Sequence, residues 1–337
     1  MRENTDTAVV GGGSWGTALA CHLARRGVKT LLWAREPEVV EGINDEHRNP
    51  LFLSDVEVPA SLRATGDLDA ALTEASILVS SVPTQFVRPV FSKVAASLDH
   101  IDAVVSVSKG IEIDTLLTPT QILAEVLPEA LTPRLLALSG PSFAAEVAAG
   151  IPTAVVAAGT NPETTRLIQR LFSNGQLRVY GSDDLVGVEL GGALKNVIAI
   201  GTGIVDGLGL GRNTRAALIT RGLAELARLG VARGGNPLTF AGLSGIGDLV
   251  LTCTGDLSRN RQVGLGLGRG QTLTEVLSGM TEVAEGVKTT AGARQLAAEA
   301  VIDMPITEQV YQVLYEGKAP RASVLELMGR ELREERA

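Results

Sequence analysis

Short apolar segments alternate with helical patterns along the first half of the chain. The apolar segments have the length of β-strands: "TAVV", "VKTLLWARE", "ASILVSSVP", "DAVVSVSKG", "RLLALSGPS" and "PTAVVAAG". Between several of them, residues 67–74, 84–98 and 119–128 show the periodicity of helices. Strands that alternate with helices predict a parallel, doubly wound α/β sheet.

The pattern changes after about residue 182. The segments "DDLVGVELGGALKNVIAIGTGIVDG" and "TRAALITRGLAELARLGVARGG" are long and helical in period, and the same period continues over 282–300, 305–316 and 323–335. This part of the sequence contains no clear strand pattern. We therefore predict an α/β N-terminal domain over residues 1–182 and an all-α C-terminal domain over residues 183–337.

Composition and charge narrow the class of protein. A chain of 337 residues fits roughly two domains. Its 45% hydrophobic and 20% charged residues are enough for a sizeable core and are not typical of a disordered chain. The net charge is −8, and no run of Lys and Arg forms a basic stripe, so we do not expect a nucleic-acid partner.

The sequence also indicates a compartment. Cys21 and Cys253 have no CxxC neighbour and no His at metal-ligand spacing, which predicts reduced thiols and no metal site. The N-terminus is polar before the first strand, unlike a signal peptide. No apolar stretch of about 20 residues lacks a charge or a glycine cluster. We expect a cytoplasmic protein without membrane insertion.

Three glycines form the most recognisable local motif. Gly11, Gly13 and Gly16 form G-x-G-x-x-G between a predicted strand and a predicted helix. In that context the first glycine permits a tight turn, the second lets the backbone approach a pyrophosphate, and the third lets the helix pack on the strand. The motif therefore predicts a dinucleotide site, with a glycine turn that binds no ligand as the alternative.

The end of the second strand bears on which dinucleotide binds. NAD-binding domains usually place an acidic residue there to bind the ribose 2′-hydroxyl, whereas an arginine accommodates the 2′-phosphate of NADP. Here the strand ends at Arg35, with Glu36 next. We predict that NADP is accepted, either alone or together with NAD; the alternative is an ordinary surface arginine.

The distribution of histidines affects the choice of catalytic acid or base. Hydride transfer to a carbonyl needs a proton donor, and histidine is the usual one. His22, His47 and His100 all lie in the N-terminal half of the chain. A lysine or a carboxylate in the helical domain is therefore a better candidate.

Lys195 lies inside a small, apolar helical segment, "ELGGALKNVIAIGTG". On a helix it shares a face with Val188, Gly191, Gly192 and Ala199. We interpret this nearly bare face as one that lets a small ligand or cofactor approach the amine. Partial burial would lower the lysine pKa towards neutrality. The alternative is a surface lysine whose amine reaches solvent.

Further polar residues lie at predicted turns. Arg binds phosphate oxygens in a bidentate manner, and Asn and Ser add neutral donors. Lys109 follows a strand of the first domain, at the carboxyl edge where ligands of such sheets bind. The candidate residues for an anion site are Lys109, Gly140, Pro141, Ser142, Asp248, Thr252, Ser258, Arg259 and Asn260.

Five blocks taken together resemble a known family. "GGGSWGTALA", "SKGIE", "SGPSFAAEV", "ELGGALKNVIAIGTGIVDG" and "GDLSRNRQVG" occur in the order found in bacterial-type NAD(P)-dependent glycerol-3-phosphate dehydrogenases. The resemblance spans residues 7 to about 330. It implies a Rossmann-like domain joined to a helical domain, in a 6-phosphogluconate dehydrogenase-like arrangement. It also implies interconversion of sn-glycerol 3-phosphate and dihydroxyacetone phosphate, which supplies glycerophospholipid synthesis.

The resemblance implies a role for each matching residue. Lys195 would be the proton donor and acceptor, and Asp248 would orient either Lys195 or a substrate hydroxyl. The residues implied around the cofactor, NADP or NAD, are Gly11, Gly13, Ser14, Trp15, Gly16, Arg35, His47, Lys109, Ala144, Arg259, Val283 and Glu285. Those implied around the triose phosphate are Lys109, Gly140, Ser142, Lys195, Asp248, Ser258, Arg259 and Asn260. Related enzymes are often dimers, so a homodimer is an expectation of the same kind.

Two other functions remain open at this point. A 3-hydroxyacid or 6-phosphogluconate-type dehydrogenase also combines a glycine-motif domain, a helical domain and a catalytic lysine. It would need a carboxylate site, whereas the Arg-Asn-Arg cluster at 259–261 suits phosphate better. A nicotinamide-binding sensor without turnover would be expected to lack the lysine or the phosphate cluster, and both are present.

Overall fold

The computed structural model describes residues 6–332 and 334–335. Residues 1–5, 333, 336 and 337, at the ends of the two predicted domains, lie outside the described residues. The strands are β1 (Thr7–Val10), β2 (Thr30–Trp33), β3 (Arg63–Thr65), β4 (Ile77–Ser80), β5 (Ala103–Ser106), β6 (Leu135–Ser139), β7 (Thr153–Gly159) and β8 (Leu177–Ser182).

Helices connect these strands and form all the regular structure described after residue 182. They are α1 (Ser14–Arg25), α2 (Pro37–Asp45), α3 (Leu68–Thr73), α4 (Thr84–Phe91), α5 (Pro119–Val126), α6 (Ala144–Ala148), α7 (Pro162–Phe172), α8 (Leu185–Gly207), α9 (Gly211–Ala232), α10 (Pro237–Phe240), α11 (Asp248–Thr254), α12 (Arg259–Gly268), α13 (Leu273–Ser278), α14 (Glu285–Glu299), α15 (Pro305–Tyr315) and α16 (Pro320–Met328). A 3-10 helix at Glu129–Arg134 and a π-helix at Leu243–Gly247 complete the set.

The strands form one eight-stranded sheet in the order β3-β2-β1-β4-β5-β6-β7-β8. The first six follow the Rossmann order, with a reversal of strand order between β1 and β4. These six strands are parallel, but β7 pairs antiparallel with β6, so β7 and β8 depart from the fully parallel sheet that was predicted. Val10 at the end of β1 pairs with Trp33 and Ser80, which brings three carboxyl ends to one edge.

The sheet is apolar on both faces because helices cover both. Val9, Leu32 and Ile77 belong to one buried cluster, while Ala8 and Leu78 belong to another. Two apolar faces explain why "TAVV" and "ILVS" read as continuous apolar runs and not as alternating ones.

The helical part of the chain is built around α8. Residues 187–205 of this helix are all buried. At its crossing with α12, a Cβ on Gly203 would overlap the backbone of α12, and a Cβ on Gly264 would overlap the carbonyl of Ile200. Glycine at both positions therefore lets the two helix backbones approach closely, which a larger residue would prevent.

Two helical segments of the described chain could cross a membrane by length and composition alone, Leu185–Gly207 and Pro237–Thr254. The apolar window of the first is completely buried inside the protein, and that of the second is 39% buried. The core helix of a globular protein meets the same criterion, so these segments are weak evidence for a membrane, and the expected lack of insertion stays a prediction.

Several predicted elements need correction. The structure adds β3 and β8, which the sequence pattern did not indicate. The helix expected over 84–98 ends at Phe91, two residues after Pro89, whose ring clashes with the carbonyl four residues earlier and so disfavours a longer regular helix. The helix expected over 323–335 is instead α16, which begins earlier and ends at Met328, before Gly329.

Carboxylates of the helical part bind helix N-termini of the α/β part. Glu189 on α8 accepts hydrogen bonds from the Thr120 N–H (2.9 Å) and from the Thr118 hydroxyl (2.6 Å) at the start of α5. Glu285 on α14 accepts from the Thr84 N–H at the start of α4 (2.7 Å). Since helix N-termini carry free N–H donors, these contacts hold α8 and α14 against the sheet edge where β4 and β5 end.

Candidate functional site

Lys195 lies in the middle of α8 and is buried, with only 5% of its surface exposed. Its Nζ donates to the Thr252 hydroxyl at 2.7 Å and lies 2.9 Å from Asp248 Oδ1. Both partners are on α11, one turn apart. The amine is therefore held inside the protein by specific partners and does not reach bulk solvent.

Asp248 joins Lys195 to a second lysine from the α/β part. Its other oxygen, Oδ2, accepts from Lys109 Nζ at 2.8 Å. Lys109 Nζ also donates to the Gly140 carbonyl at 3.0 Å, and Ser142 donates its hydroxyl to that same carbonyl. One carboxylate thus bridges two ammonium groups that arrive from opposite parts of the chain, and it cannot be replaced without leaving a buried charge unpaired.

The surroundings lower the pKa values of both Lys195 and Asp248, for different physical reasons. Burial lowers the pKa of Lys195 from 10.5 to about 8, with the Lys109 charge acting in the same direction and Asp248 opposing both. Burial raises the pKa of Asp248, but the charges of Lys109 and Lys195 outweigh this effect and hold it below its usual value. The result is a stable carboxylate beside an amine that can exchange a proton near neutral pH.

The bare helix face around Lys195 has a different cause from the one predicted. A Cβ on Gly191 would lie 2.6 Å from the Ser244 carbonyl oxygen, and one on Gly192 would lie 2.7 Å from Ser139 Oγ. Val188 packs in an apolar cluster with residues of β6 and β7. Protein atoms, and not an open space for ligand, therefore cover these positions, and the prediction of a free approach along that face was wrong.

The glycine turn after β1 has the geometry that its motif predicts. Gly11 has φ of +121°, and a Cβ there would lie 2.7 Å from the Ser81 backbone. A Cβ on Gly16 would overlap the Gly11 carbonyl, whereas a Cβ placed on Gly13 would meet no described residue within 4 Å other than its neighbours in the chain. The first and third glycines allow close packing, and the second leaves the backbone accessible to a pyrophosphate.

Two ring nitrogens beside this turn lack a hydrogen-bond partner in the described part of the chain. Trp15 Nε1 and His47 Nδ1 are buried and have no hydrogen-bond partner among the described residues. Buried ring nitrogens of this kind are normally satisfied, so a bound group with matching polar atoms fits here. Ala144 packs in the same small cluster as Trp15. These observations fit a dinucleotide at the turn, as the sequence predicted.

The loop after α2 packs on the glycine turn. The side chain of Asn49, which is completely buried, donates to the Gly12 carbonyl at 2.7 Å, and the Phe52 carbonyl contacts the Ser14 hydroxyl. His47 in this loop has φ of 54°. The segment "HRNPLFL" is thus next to the predicted cofactor site. Arg35, by contrast, is exposed and pairs with its neighbour Glu36 at 2.7 Å.

A third group of predicted residues lies at the start of α12. Arg259 is exposed and donates to the Val283 carbonyl at 3.0 Å. Asn260 is buried, and its Oδ1 accepts from the Gly286 N–H at 2.9 Å. Ser258 is the N-cap of α12 and accepts from the Arg261 N–H at 3.2 Å. Of these three residues, only Arg259 is exposed to solvent.

The Arg-Asn-Arg cluster is smaller than the sequence predicted. Arg261 is largely buried, and its guanidinium pairs with Asp206 at 2.7 Å and with Asp256 at 2.9 Å. These ion pairs engage Arg261 in holding α12 to the end of α8. It is therefore not available to a phosphate, and Arg259 is the arginine of the cluster that remains a candidate.

Glu285 and Thr84 connect the site to the sheet edge. The Glu285 carboxylate binds both the N–H and the hydroxyl of Thr84, and it also accepts from the Lys109 N–H at 3.3 Å. Asn196, next to Lys195, donates to the Lys109 carbonyl at 2.9 Å. The structure therefore places Glu285 at the junction beside Lys109, with its oxygens engaged by protein donors.

Models of one protein family match most of the chain. Residues 6–165 match the model described as NAD-dependent glycerol-3-phosphate dehydrogenase N-terminus, and residues 184–325 match the model described as NAD-dependent glycerol-3-phosphate dehydrogenase C-terminus. The chain belongs to the NAD-dependent glycerol-3-phosphate dehydrogenase family. This membership confirms the resemblance read from the sequence blocks.

Individual relatives of the family match over nearly their full lengths. A glycerol-3-phosphate dehydrogenase (NAD(P)+) from Geobacter metallireducens is 56% identical over 97% of this chain and 98% of its own. The corresponding protein from Geobacter sulfurreducens is 54% identical, with the same coverage. The crystal structure of glycerol-3-phosphate dehydrogenase from Coxiella burnetii matches with a TM-score of 0.91 and 39% identity, covering 97% of this chain and 99% of that one.

The fold class extends beyond the glycerol-3-phosphate dehydrogenase family. A ketopantoate reductase from Ralstonia eutropha JMP134 has a TM-score of 0.57 at 14% identity, covering 95% of this chain and 99% of its own. At that identity only the fold is shared. The predicted class, a Rossmann-like sheet with an all-helical C-terminal domain of 6-phosphogluconate dehydrogenase type, is confirmed.

Sequence reasoning missed several residues that this family member uses to hold the site together. Thr252 was grouped with anion donors, but its hydroxyl contacts the Lys195 amine; its signal was the i, i+4 spacing from Asp248 on one helix face. Asn49 and Asn196 were not among the predicted site residues. Among the described residues, no group of three His, Cys, Asp or Glu side chains is arranged to hold a metal ion.

Proposed function

We propose that the protein interconverts sn-glycerol 3-phosphate and dihydroxyacetone phosphate with NADP or NAD, and so supplies glycerol 3-phosphate for glycerophospholipid synthesis. Its family membership confirms the predicted oxidoreductase class and the NAD(P) requirement. The observation that carries the proposal is the buried Lys195–Asp248–Lys109 group at the junction of the sheet edge with the helical part.

Side chains of the protein would transfer the proton and stabilise the negative charge that develops on the substrate oxygen. The dinucleotide would supply or accept the hydride. In the reductive direction negative charge develops on the carbonyl oxygen, and the Lys195 ammonium would stabilise it and donate a proton to it. Asp248 and Thr252 fix the position of Nζ and so limit the geometries that it can adopt. Asp248 is thus a positioning residue for Lys195.

The proposed site has two parts, one that binds the cofactor and one that binds the triose phosphate. The cofactor would bind along the glycine turn and the surrounding residues, which are Gly11, Gly13, Ser14, Trp15, Gly16, Arg35, His47, Lys109, Ala144, Arg259, Val283 and Glu285. The triose phosphate would bind Lys109, Gly140, Ser142, Lys195, Asp248, Ser258, Arg259 and Asn260. The planar fork of the Arg259 guanidinium matches phosphate geometry, so Arg259 is a candidate for the triose phosphate as well as for the cofactor.

The domain division and the partners belong to the same proposal. Residues 1–182 would bind the dinucleotide and residues 183–337 the substrate, with β8 ending at Ser182 and α8 beginning at Leu185. We propose a cytoplasmic enzyme, without membrane insertion, that works as a homodimer on a small phosphorylated triose.

A direct assay separates this function from its rivals. The protein should oxidise NADPH when dihydroxyacetone phosphate is present. It should show no comparable turnover with a carboxylate substrate, such as the 3-oxo acid that forms when 3-hydroxyisobutyrate is oxidised. Absorbance of the reduced nicotinamide follows both reactions. Preference for the carboxylate would support the hydroxyacid alternative, and binding of NADPH without any turnover would support a sensor.

Reduction should lose rate above about pH 8. The Lys195 amine must be protonated to donate, and burial lowers its pKa to about 8. Above that value kcat/KM for dihydroxyacetone phosphate should fall about tenfold per pH unit, while oxidation of glycerol 3-phosphate should improve. Initial rates in both directions, with NADPH binding measured as a control, test this. A reduction rate that stays flat to about pH 10 would assign proton donation elsewhere.

Arg35→Ala should weaken NADPH more than NADH. The exposed guanidinium follows β2, where the 2′-phosphate of NADP would lie, and NADH has no group there. We expect KM for NADPH to rise about fivefold to tenfold with little change for NADH. Arg178→Ala is the control, since β8 lies at the opposite edge of the sheet from β2 and β3. An equal effect on both cofactors would remove Arg35 from the discrimination.

A further inference from the structure

Glu282 lies in the connection between α13 and α14 and was not among the predicted site residues. Its carboxylate contacts two donors that are far apart in the chain. Oε2 lies 2.8 Å from Arg259 Nη1, and Oε1 contacts the Ser14 hydroxyl, which donates its one proton either to Oε1 or to the Phe52 carbonyl. Ser14 begins α1 directly after the glycine turn, so the carboxylate joins the cofactor turn to the start of α12.

Both donors belong to the set expected to bind anionic parts of ligands. A guanidinium and a hydroxyl at the N-terminus of a helix are groups that bind phosphate, because the guanidinium is positive and the helix terminus favours negative charge. Glu282 presents an anion to both of them at once. Its carboxylate therefore satisfies the same donors that a phosphate of the dinucleotide would use.

The ion pair between Arg259 and Glu282 is weak enough to break when a ligand binds. The side chains of Arg259 and Glu282 are 45% and 24% exposed, and exposed ion pairs of this kind contribute little to stability. Arg259 holds the same connection a second time through the Val283 carbonyl, at 3.0 Å. Release of Arg259 would thus free the backbone and the side chain of the 281–284 segment together.

We propose that Glu282 is an internal competitor of the dinucleotide phosphates: in the cofactor-free protein its carboxylate occupies Ser14 and Arg259, and it must leave before the pyrophosphate can bind them. The 281–284 segment is then a gate on the cofactor site, and the negative charge of Glu282 lowers cofactor affinity. This inference rests on the proposed function, since it concerns the same dinucleotide site.

The test is Glu282→Gln, which keeps the size of the side chain and removes its charge. NADPH binding should tighten about threefold to fivefold, measured by fluorescence titration without substrate. A second readout needs no cofactor: amide hydrogen exchange of a peptide covering 279–286 should be faster in cofactor-free Glu282→Gln than in wild type. Glu308→Gln, which removes an exposed ion pair with Arg294, is the matched control and should change neither value.

The outcomes distinguish this inference from the proposed function. If the wild type does not bind NADPH, the proposed function fails. If it binds NADPH and Glu282→Gln binds equally or more weakly, the competition is wrong while the function stands. Unchanged exchange in cofactor-free Glu282→Gln also overturns the proposal, because the contact would then not hold the segment closed.

Discussion

Lys195→Met is expected to lower kcat for reduction of dihydroxyacetone phosphate by about a thousandfold or more while NADPH still binds. Methionine has a similar length and fills the buried position, but it cannot donate a proton or stabilise charge on the carbonyl oxygen. The glycine turn is unchanged, because Lys195 contacts Asp248 and Thr252 and not the residues around Gly13. Stopped-flow hydride transfer and fluorescence titration measure the two properties separately.

Two further variants separate proton donation from charge and from nonspecific effects. Lys195→Arg retains the positive charge but has a pKa above about 12, so it should donate a proton poorly and stay well below wild type. Lys93→Met removes an exposed lysine after α4 and should leave kcat unchanged. A Lys195→Met enzyme within about tenfold of wild type would exclude Lys195 from the proton transfer.

The sequence predicts the central strands well because their environment is simple. Strands buried on both faces need continuous apolar residues, and "TAVV" and "ILVS" have them. β3 has only the residues Arg-Ala-Thr and lies at one edge of the sheet, where pairing to β2 and not apolar content defines it. β8, at the other edge, alternates buried and exposed residues and includes Arg178 and Tyr180, so its apolar signal is weak.

The function of the glycine motif could also be predicted from the sequence, because it depends on local constraints. Its function depends on backbone geometry within six residues, so the constraint on Gly11, Gly13 and Gly16 is visible locally. The face around Lys195 was misread because the packing of Gly191 and Gly192 depends on distant segments. Ser244 and Ser139 occupy the space that the helix leaves, and no periodicity reveals that.

Long-range polar contacts were the least predictable part of the site. Ser14 and Glu282 are 268 positions apart, and Lys109 and Asp248 are 139 positions apart. The family resemblance of the sequence blocks predicted that Lys109, Lys195 and Asp248 lie near the substrate. It left open whether Asp248 orients Lys195 or a substrate hydroxyl, and the structure places its carboxylate on Lys195 and Lys109.

Asp248→Asn is expected to impair stability and catalysis together, for one electrostatic reason. The substitution is nearly isosteric, but it leaves the buried ammonium group of Lys195 and the partly buried one of Lys109 without their shared counter-charge. Breaking a buried pair by removing one partner costs about 3–5 kcal/mol of unfolding free energy. Without the carboxylate, the pKa of Lys195 should fall further, so that the amine is mostly neutral at pH 8 and reduction slows.

The pH profile separates this positioning role from a general loss of structure. In Asp248→Asn the fall in reduction rate should begin at least about one pH unit lower than in wild type, and part of the activity should return on acidification. A structural defect alone would lower kcat equally at every pH. Urea unfolding gives the stability change, with Glu74→Gln, which removes an exposed ion pair to Lys29, as a control expected to match wild type. An unshifted profile would mean that Asp248 does not set the proton affinity of Lys195, and its carboxylate would then act on the substrate hydroxyl instead.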